Sequence, residues 1–427
     1  FRIIKEQYAM AKKKVYAAIE ISDQEVRLVV SEVFDGRSNI LRVEKAVCDG
    51  VKDFRITDEG AVVKAIQQVV KQAQNALGYK IERVLLAIPP KDVRRSSQKV
   101  HIAIEDGTNN IRRFHVQTGL KQAMQKKLDD QHELVSIDKI LYTVNQNSST
   151  KIPVSQEANS FDMEVDLLYA DKEILYSYAK AVEQANLEIL DICLDTFAQA
   201  HETAALAMSE DRPIILLSLE RDHTTLSLLM QSRIMAVSVL DQGFGSFVEE
   251  LKEKYGFSDE TAYRLLQNVF ETKDENITDS IIYIEQQEDE RVEITARELA
   301  DIVLPKIRGW IAEINAASEP IVKDGKARYM ITGQGSNLPV LEKFEDAFNA
   351  PASVYKVTAI GARDGSYVSD LGMVYAWQEI NRIHNDDRTS VNNNELEASI
   401  ESINRYTKDE EGGFTQKLKR AVLSAGN

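Results

Sequence analysis

The 427-residue sequence contains only two cysteines, Cys48 and Cys193, which excludes a disulfide framework. Both lie in apolar contexts, so we expect two buried free thiols in a reducing compartment. The sequence also lacks a long apolar run, because stretches such as residues 213–219 are far shorter than the ~20 residues of a membrane-spanning helix. The first residues do not have the pattern of a secretory signal, and we expect none.

Groups of residues that could bind a metal ion or catalyse a reaction are equally scarce. The six histidines show no metal-ligand spacing, and no Ser/His/Asp pattern is present, so we predict no metal site and no catalytic residue. Positive charge is in deficit, since 52 Lys and Arg oppose 68 Asp and Glu for a net charge of −16. This balance is unfavourable for nucleic-acid binding. Residues 384–411 are rich in Asn, Asp, Glu and Ser, whereas 414–427 are basic and apolar, which marks the tail as a separate unit.

A strand–turn–strand–turn–strand pattern occurs twice in the sequence. The first copy covers residues 15–21, 26–33 and 40–46, and the second covers 214–219, 225–230 and 234–240. Such a duplication predicts two homologous α/β halves.

Each copy is followed by the pattern of a helix and a buried strand. In the first half Thr57 is the predicted N-cap of a helix over 58–77 that ends at Gly78, and a strand follows at 84–88. The second half has predicted helices at 300–314 and 340–348 around a strand at 327–331.

Two inserts interrupt this order. The predicted elements of the inserts are strands at 100–104, 137–144, 280–284 and 292–294 and helices at 117–128, 247–255 and 258–269. Two α/β halves that each carry a subdomain resemble the plan of the actin and Hsp70 superfamily, and the predicted fold class is therefore α/β with an actin/Hsp70-like ATPase fold.

The chain resembles the FtsA family of actin-like bacterial cell-division proteins from about residue 15 to residue 376. Residues 329–339 are similar to the family's glycine-rich adenosine motif, 360–372 to the segment before its last helix, and 185–198 to the passage before its second half. The insert at 92–165 follows the fourth strand, where this family places its 1C subdomain. The resemblance implies subdomain 1A at 14–91, 166–205 and 368–383, 1C at 92–165, 2A at 206–244 and 319–367, 2B at 245–318, a flexible linker at 384–413 and an amphipathic helix at 414–427.

The two phosphate-binding turns that the resemblance implies lack glycine. The pattern Asp-x-Gly-Thr falls on residues 20–23, and Asp-x-Gly-Gly-Gly-Thr falls on 218–223. The adenine-side Ala-Glu-x-x-Lys falls on 262–266 without its Glu and Lys. A side chain at a phosphate turn projects into the site and makes a positive φ costly. We therefore predict weak or absent ATP hydrolysis, and whether ATP with Mg²⁺ still binds is left open. The candidate nucleotide-binding residues are Glu20, Ser22, Asp23, Glu220, Asp222, His223, Thr224, Gly333, Gly335, Ser336 and Asn337.

Of these residues, His223 has a simpler interpretation. In a hairpin turn without a second His or Cys nearby, a histidine is far more often a solvated turn residue than a ligand or base.

The end of the tail has the pattern of a basic amphipathic helix. Phe414, Leu418, Ala421 and Val422 recur at i, i+4, i+7 and i+8, which places them on one helical face. Such a helix is suited to an anionic bilayer surface, and the resemblance implies a membrane-targeting role. The alternative is a frayed, solvated C-terminus. The candidate membrane-binding residues are Phe414, Lys417, Leu418, Lys419, Arg420, Val422 and Leu423.

The resemblance also implies partners. FtsZ is expected to bind subdomain 2B, where the family's Pro-Arg falls on residues 305–306, through Lys306, Arg308 and Asn315, although ordinary solvated helix charges explain these residues equally well. Anionic lipids, further copies of the chain in a filament, and other division proteins at subdomain 1C complete the expected partners. We expect a cytoplasmic protein that is peripheral on the membrane at the division site and tethers FtsZ to it. The alternatives are another actin-like adaptor of the PilM kind and an ATP-dependent small-molecule kinase, which would need glycine-bearing phosphate turns.

Overall fold

The computed structural model describes residues 13–268, 279–287 and 290–392 and is built from two α/β halves. The first half begins with β1 (Lys14–Ile21), β2 (Glu25–Phe34), β3 (Arg37–Val47), β4 (Val51–Lys52), β5 (Arg55–Ile56), α1 (Glu59–Leu77) and β6 (Arg83–Ile88). The insert after β6 contains β7 (Arg94–Ala103), α2 (Arg113–Met124), β8 (His132–Val144), β9 (Asn147–Ser149) and β10 (Ser160–Asp171). The chain then returns to the first half with α3 (Lys172–Gln184), β11 (Glu188–Leu194), α4 (Asp195–Glu202) and α5 (Ala205–Met208).

The second half repeats this plan with its own insert. Its elements are β12 (Ile214–Leu219), β13 (Thr224–Leu229), β14 (Ile234–Leu240), α6 (Glu249–Tyr255), α7 (Asp259–Asn268), β15 (Ile281–Gln287), β16 (Glu290–Thr295), α8 (Ala296–Val322), β17 (Arg328–Thr332) and β18 (Ala352–Val354). Short 3₁₀ segments lie at Phe244–Phe247, Gln334–Asn337, Pro339–Ala347 and Gly365–Tyr367. The last helix, α9 (Val368–His384), packs back on the first half.

The two central sheets have the same topology. The first has the order β3-β2-β1-β6-β11 and the second has the order β14-β13-β12-β17-β18. In each sheet three strands form an antiparallel meander, and the two following strands are parallel to the first. The strands at the centre are buried on both faces, which explains the continuous apolar runs of β1 and β12. The predicted α/β fold with duplicated halves is confirmed.

Several boundaries differ from the sequence predictions. Asp58, and not Thr57, caps α1, because its Oδ1 accepts a hydrogen bond from the Ala61 amide at 3.0 Å. The predicted helix 300–314 is the middle of the longer α8, which begins at a capping box formed by Thr295 and Glu298. The predicted helix 340–348 is a 3₁₀ segment. As predicted, Gly78 ends α1 with a φ of 78°, and both cysteines are buried and free.

The stretch that was predicted to be a flexible linker from residue 384 begins with a segment packed on the first half. The Ser390 amide donates to Val15 O at 2.9 Å, and Ser390 Oγ accepts from the Ala17 amide at 2.7 Å. Val391 is 2% exposed and bridges to Ile81 at the sheet. Residues 385–392 therefore belong to the body, because backbone pairing and a buried apolar side chain hold them there.

The candidate membrane-binding residues from Phe414 to Leu423 lie outside the described residues. In the part of the chain that the structure describes, no helix combines the length and apolar character needed to cross a bilayer.

Candidate functional site

The two hairpin turns that were predicted to hold phosphates face each other across the cleft between the halves. The turn between β1 and β2 contacts the turn between β12 and β13, because Gln24 Nε2 donates to Asp222 Oδ2 at 3.0 Å. Arg221 Nη1 donates to Gln24 Oε1 at 2.7 Å. The structure thus brings the predicted residues of both turns together, but each turn is bonded to the other.

Arg27 lies at the centre of this contact and was missed at the sequence level. It extends from β2, is 2% exposed, and donates from Nη1 to Glu20 Oε2 at 3.1 Å and from Nε to Glu25 Oε1 at 2.7 Å. Its Nη2 is 3.7 Å from Glu220 Oε2 of the second half. Arg27 also donates to Ser366 O at 3.1 Å. We call Arg27, Glu20, Glu25 and Glu220 the Arg27 cluster.

A signal for part of this cluster was present in the sequence. Glu20 and Arg27 are directly opposite each other in the β1–β2 hairpin, and opposite charges at such positions attract. The contribution of Glu220 carries no such signal, because it depends on how the two halves meet.

The electrostatics of the cluster follow from its burial. Burial opposes the charge of Arg27, but the carboxylates of Glu20, Glu220 and Glu25 outweigh it and hold the Arg27 pKa well above its usual range. Burial raises the pKa of Glu220 to about 7, although Arg27 acts in the opposite direction. The pKa of Glu20 is raised for the same reason. The cluster thus holds more acidic groups than its one guanidinium balances, and an added anion is unfavourable there.

The predicted adenosine turn is also engaged by neighbouring protein groups. Gly333 has a φ of 81°, and a Cβ at this position would collide with Glu220 Oε1. Asn337 Nδ2 donates to Asp364 Oδ1 at 2.7 Å, and Asn337 Oδ1 accepts from the Gly365 amide at 2.9 Å. Ser336 Oγ donates to Gly333 O at 2.8 Å. Glycine is thus required at 333 for a close approach between protein groups.

The space between the two turns is too small for a metal–nucleotide complex. The cavity between the two turns measures about 40 Å³, whereas small-molecule sites occupy roughly 300–1,000 Å³. The adjoining groove of about 430 Å³ is lined by more acidic than basic side chains, and Arg221 stacks over the Tyr263 ring at 4.5 Å and pairs with Asp259. Across the described ranges, no three acidic, His or Cys side chains are arranged to hold a metal ion.

The remaining predicted residues of the turns have structural contacts. The ring of His223 lies 4.4 Å from that of Phe54, in an edge-on contact between the halves, and burial lowers the His223 pKa to about 4. His223 is thus half-buried and packed, which differs from the solvated interpretation. Thr224 Oγ1 donates to Gln242 O at 2.6 Å, and Ser22 Oγ donates to Glu25 O at 2.8 Å. Burial raises the pKa of Asp23.

The three residues that were predicted for FtsZ do not form one patch. Lys306 Nζ lies 3.4 Å from Glu250 Oε2 on α6. Arg308 lies over the Phe344 ring at 5.8 Å, and Asn315 Nδ2 donates to Ala347 O at 3.1 Å. The two latter residues therefore face the 339–349 segment, away from Lys306.

A large cavity that sequence reasoning did not anticipate lies beside the 1C insert. It measures about 980 Å³ and is lined mainly by β8, β11, α4 and α9. Its wall is mainly apolar but includes the Asp138 and Asp191 carboxyls, whose pKa values burial raises to about 7. The exposed residues Lys151 and Glu379 lie on its lining. No sequence pattern marks this cavity, because its walls come from segments that are far apart in the sequence.

Comparison with known proteins identifies relatives of similar sequence. The cell-division protein FtsA of Bacillus subtilis strain 168 is 20% identical over 379 residues, which cover 86% of this chain and 84% of the relative. FtsA of Enterococcus faecalis is 23% identical over 387 residues, which cover 88% of this chain and 86% of the relative. No protein-family model matches the chain.

Solved structures share the fold at lower sequence identity. The PilM–PilN type IV pilus biogenesis complex matches with a TM-score of 0.56 and 14% identity over 84% of this chain and 98% of that one. The ethanolamine utilization protein EutJ from Carboxydothermus hydrogenoformans matches with a TM-score of 0.51 and 12% identity over 85% of this chain and 90% of that one. The predicted resemblance is thereby confirmed: the chain is similar to FtsA cell-division proteins over about 85% of its length and has an actin-like fold.

Proposed function

We propose that this protein is an FtsA-like membrane tether that binds FtsZ, attaches it to the cytoplasmic face of the membrane at the division site, and assembles with further copies of itself. The observation that carries the proposal is the similarity to FtsA proteins over about 85% of each chain. The 1C-type insert in the first half supports it as well.

The membrane contact is assigned to the basic amphipathic segment from Phe414 to Leu423. Apolar burial by Phe414 and Leu418 and attraction of Lys417, Lys419 and Arg420 to anionic lipid both favour the surface of a bilayer. A segment this short binds weakly on its own. Assembly supplies many linked copies, and their avidity makes attachment stable.

The FtsZ contact is assigned to the 2B insert around Lys306. Its ion pair with Glu250 joins two half-exposed side chains, and such surface pairs contribute little stability. An acidic peptide therefore displaces Glu250 at low cost. Asn315 is a weaker candidate, because its carboxamide already bonds Ala347 O and the Asn349 amide.

The 2B assignment is tested by charge reversal. We expect Lys306→Glu to weaken FtsZ binding about tenfold, which corresponds to about 1.4 kcal/mol. Lys323→Glu is the matched control, because Lys323 is an exposed lysine at the C-terminal end of the same helix, remote from Lys306, and pairs with Glu319 within its own segment. Equal affinity of the two variants in a titration would remove Lys306 from the site.

A second division protein is proposed to bind at the cavity beside the 1C insert. Apolar walls with two acidic groups suit an extended peptide that carries apolar side chains and one cation. We expect Ile140→Arg, in the wall of the cavity, to abolish capture of such a peptide and to leave FtsZ binding unchanged. Loss of both would show a general folding defect.

The central experiment is co-sedimentation of FtsZ with anionic liposomes. The full chain is compared with a chain that ends at Gly413 and with the Phe414→Glu/Leu418→Glu variant. We expect FtsZ to sediment only with the full chain. If the protein sediments and FtsZ does not, the PilM-like alternative gains support. If neither sediments, the tail assignment is wrong and ATP-dependent phosphoryl transfer becomes the next activity to assay.

A further inference from the structure

We propose that Arg27 is a built-in cation that holds the two halves closed, so that the closed cleft is the ground state of this protein and does not respond to ATP. This inference goes beyond the tether function and depends on neither lipid nor FtsZ. It concerns the site where the fold family implies a metal and a triphosphate. In this chain a guanidinium lies between the same two turns.

The first argument is the position of Arg27 between the halves. Two of its carboxylate partners, Glu20 and Glu25, come from the first half, and Glu220 comes from the second. The side chain of Arg27 is 3% exposed, and those of Glu20 and Glu220 are 12% and 15% exposed. Charges this poorly solvated interact strongly, so the Arg27–Glu220 attraction favours the closed arrangement wherever the Glu220 carboxyl is ionised.

The second argument is that a bound triphosphate cannot take the place of the contacts that Arg27 makes. A bound triphosphate would have to move Arg27 away from its partners or enter beside Glu20 and Glu220. Either change leaves buried charges without compensation, which is costly. The roughly 40 Å³ between the turns leaves no room for both the Arg27 side chain and a triphosphate.

The third argument is that independent contacts reinforce the same closure. Gln24 bonds both Arg221 and Asp222, and the Phe54 and His223 rings meet across the cleft. Both contacts join the first half to the second at the same cleft. The Arg27–Glu220 ion pair, the hydrogen bonds of the Gln24 side chain and the contact between the two rings therefore act together.

The test is amide hydrogen exchange of the full chain, with and without 1 mM ATP and MgCl₂. We expect slow exchange in residues 20–27 and 218–224 of the wild type, unchanged by the nucleotide. We expect Arg27→Gln to accelerate exchange in both turns by about tenfold or more, because opening becomes easier. The matched control is Arg42→Gln on the adjacent strand β3, because Arg42 is half-exposed and pairs with Glu44 of its own strand. We expect the two turns of this variant to exchange at the wild-type rate.

Two results would overturn the inference. One is protection of these turns, or a higher melting temperature, when Mg-ATP is added to the wild type. The other is wild-type exchange in the Arg27→Gln variant. If Arg27→Gln does not fold, Glu220→Gln decides instead, because its carboxamide keeps the hydrogen bonds to Ser218 and Gln334 and loses only the charge. Unchanged exchange in Glu220→Gln would equally reject the role of Arg27.

Discussion

Asp191 shows how burial changes the chemistry of a single residue. Its carboxyl lies on the wall of the large cavity beside the 1C insert, and burial raises its pKa from 3.8 to about 7. In the unfolded chain the carboxyl releases its proton near pH 4, whereas in the folded chain it keeps the proton to near pH 7. The folded state therefore binds more protons in this window, and this group's contribution to stability falls as the pH rises through it.

Replacement of the Asp191 carboxyl tests the predicted direction in which stability changes with pH. We expect Asp191→Asn to be more stabilising at pH 8 than at pH 5, by at most about 1.4 kcal/mol per pH unit within the window. Urea unfolding at the two pH values measures the difference. Asp324→Asn is the control, because Asp324 is exposed. An equal effect of Asp191→Asn at both pH values would contradict the prediction.

At the scale of elements, the crossing of α4 and α9 depends on one glycine. A Cβ at Gly372 would collide with Ala198 O on α4, so the two helices approach as closely as backbone allows. The sequence patterns of α4 and α9 do not indicate this contact, because the pattern of a helix depends only on its own residues.

We expect Gly372→Ala to lower the free energy of unfolding by about 3 kcal/mol, because the helices must move apart. Gly309→Ala on α8 is the matched control. A Cβ at Gly309 would have no neighbouring atom within 4 Å, so alanine gains helix propensity there and stabilises by about 0.5–1 kcal/mol. Chemical denaturation of both variants measures the two opposite signs. Similar stability of Gly372→Ala and wild type would show that the crossing relaxes without cost.

At the scale of the whole molecule, the 1C insert is fastened to the second half by a buried ion pair. Asp166 on β10 is 1% exposed, and its Oδ2 is 2.9 Å from Arg233 Nη1. Asp138 Oδ2 accepts a hydrogen bond from the Ile234 amide at 2.9 Å. Arg95, from the insert itself, also pairs with Asp166. The ion pair and the hydrogen bond thus anchor the insert to the second half of the chain.

We expect Arg233→Ala to destabilise the protein by about 1–3 kcal/mol, because Asp166 retains Arg95 but loses its link to the second half. Hydrogen exchange should accelerate in β8 and β14 and remain unchanged in β1. Arg94→Ala is the control in the same insert, since Arg94 pairs with Asp92 at an exposed position. Faster exchange everywhere would show global destabilisation and would contradict a local joint.

The sequence by itself determined the duplicated α/β plan, the strands of both meanders and the resemblance to FtsA. These features follow from local patterns, namely apolar runs, turn residues and motif order, which survive at 20–23% identity. It also located the two turns without glycine. Helix limits were less certain, as the length of α8 and the cap at Asp58 show, because packing extends or trims a helix beyond its own pattern.

Only the tertiary structure decided what fills the cleft. Arg27 meets Glu220 although they are nearly two hundred residues apart, and no local pattern links two strands from different halves. The same holds for the cavity beside the 1C insert, for the collision that fixes Gly372, and for the return of Ser390 and Val391 to the first half. Each depends on distances between segments that are remote in the sequence, because charge pairing and close packing are set by position in space.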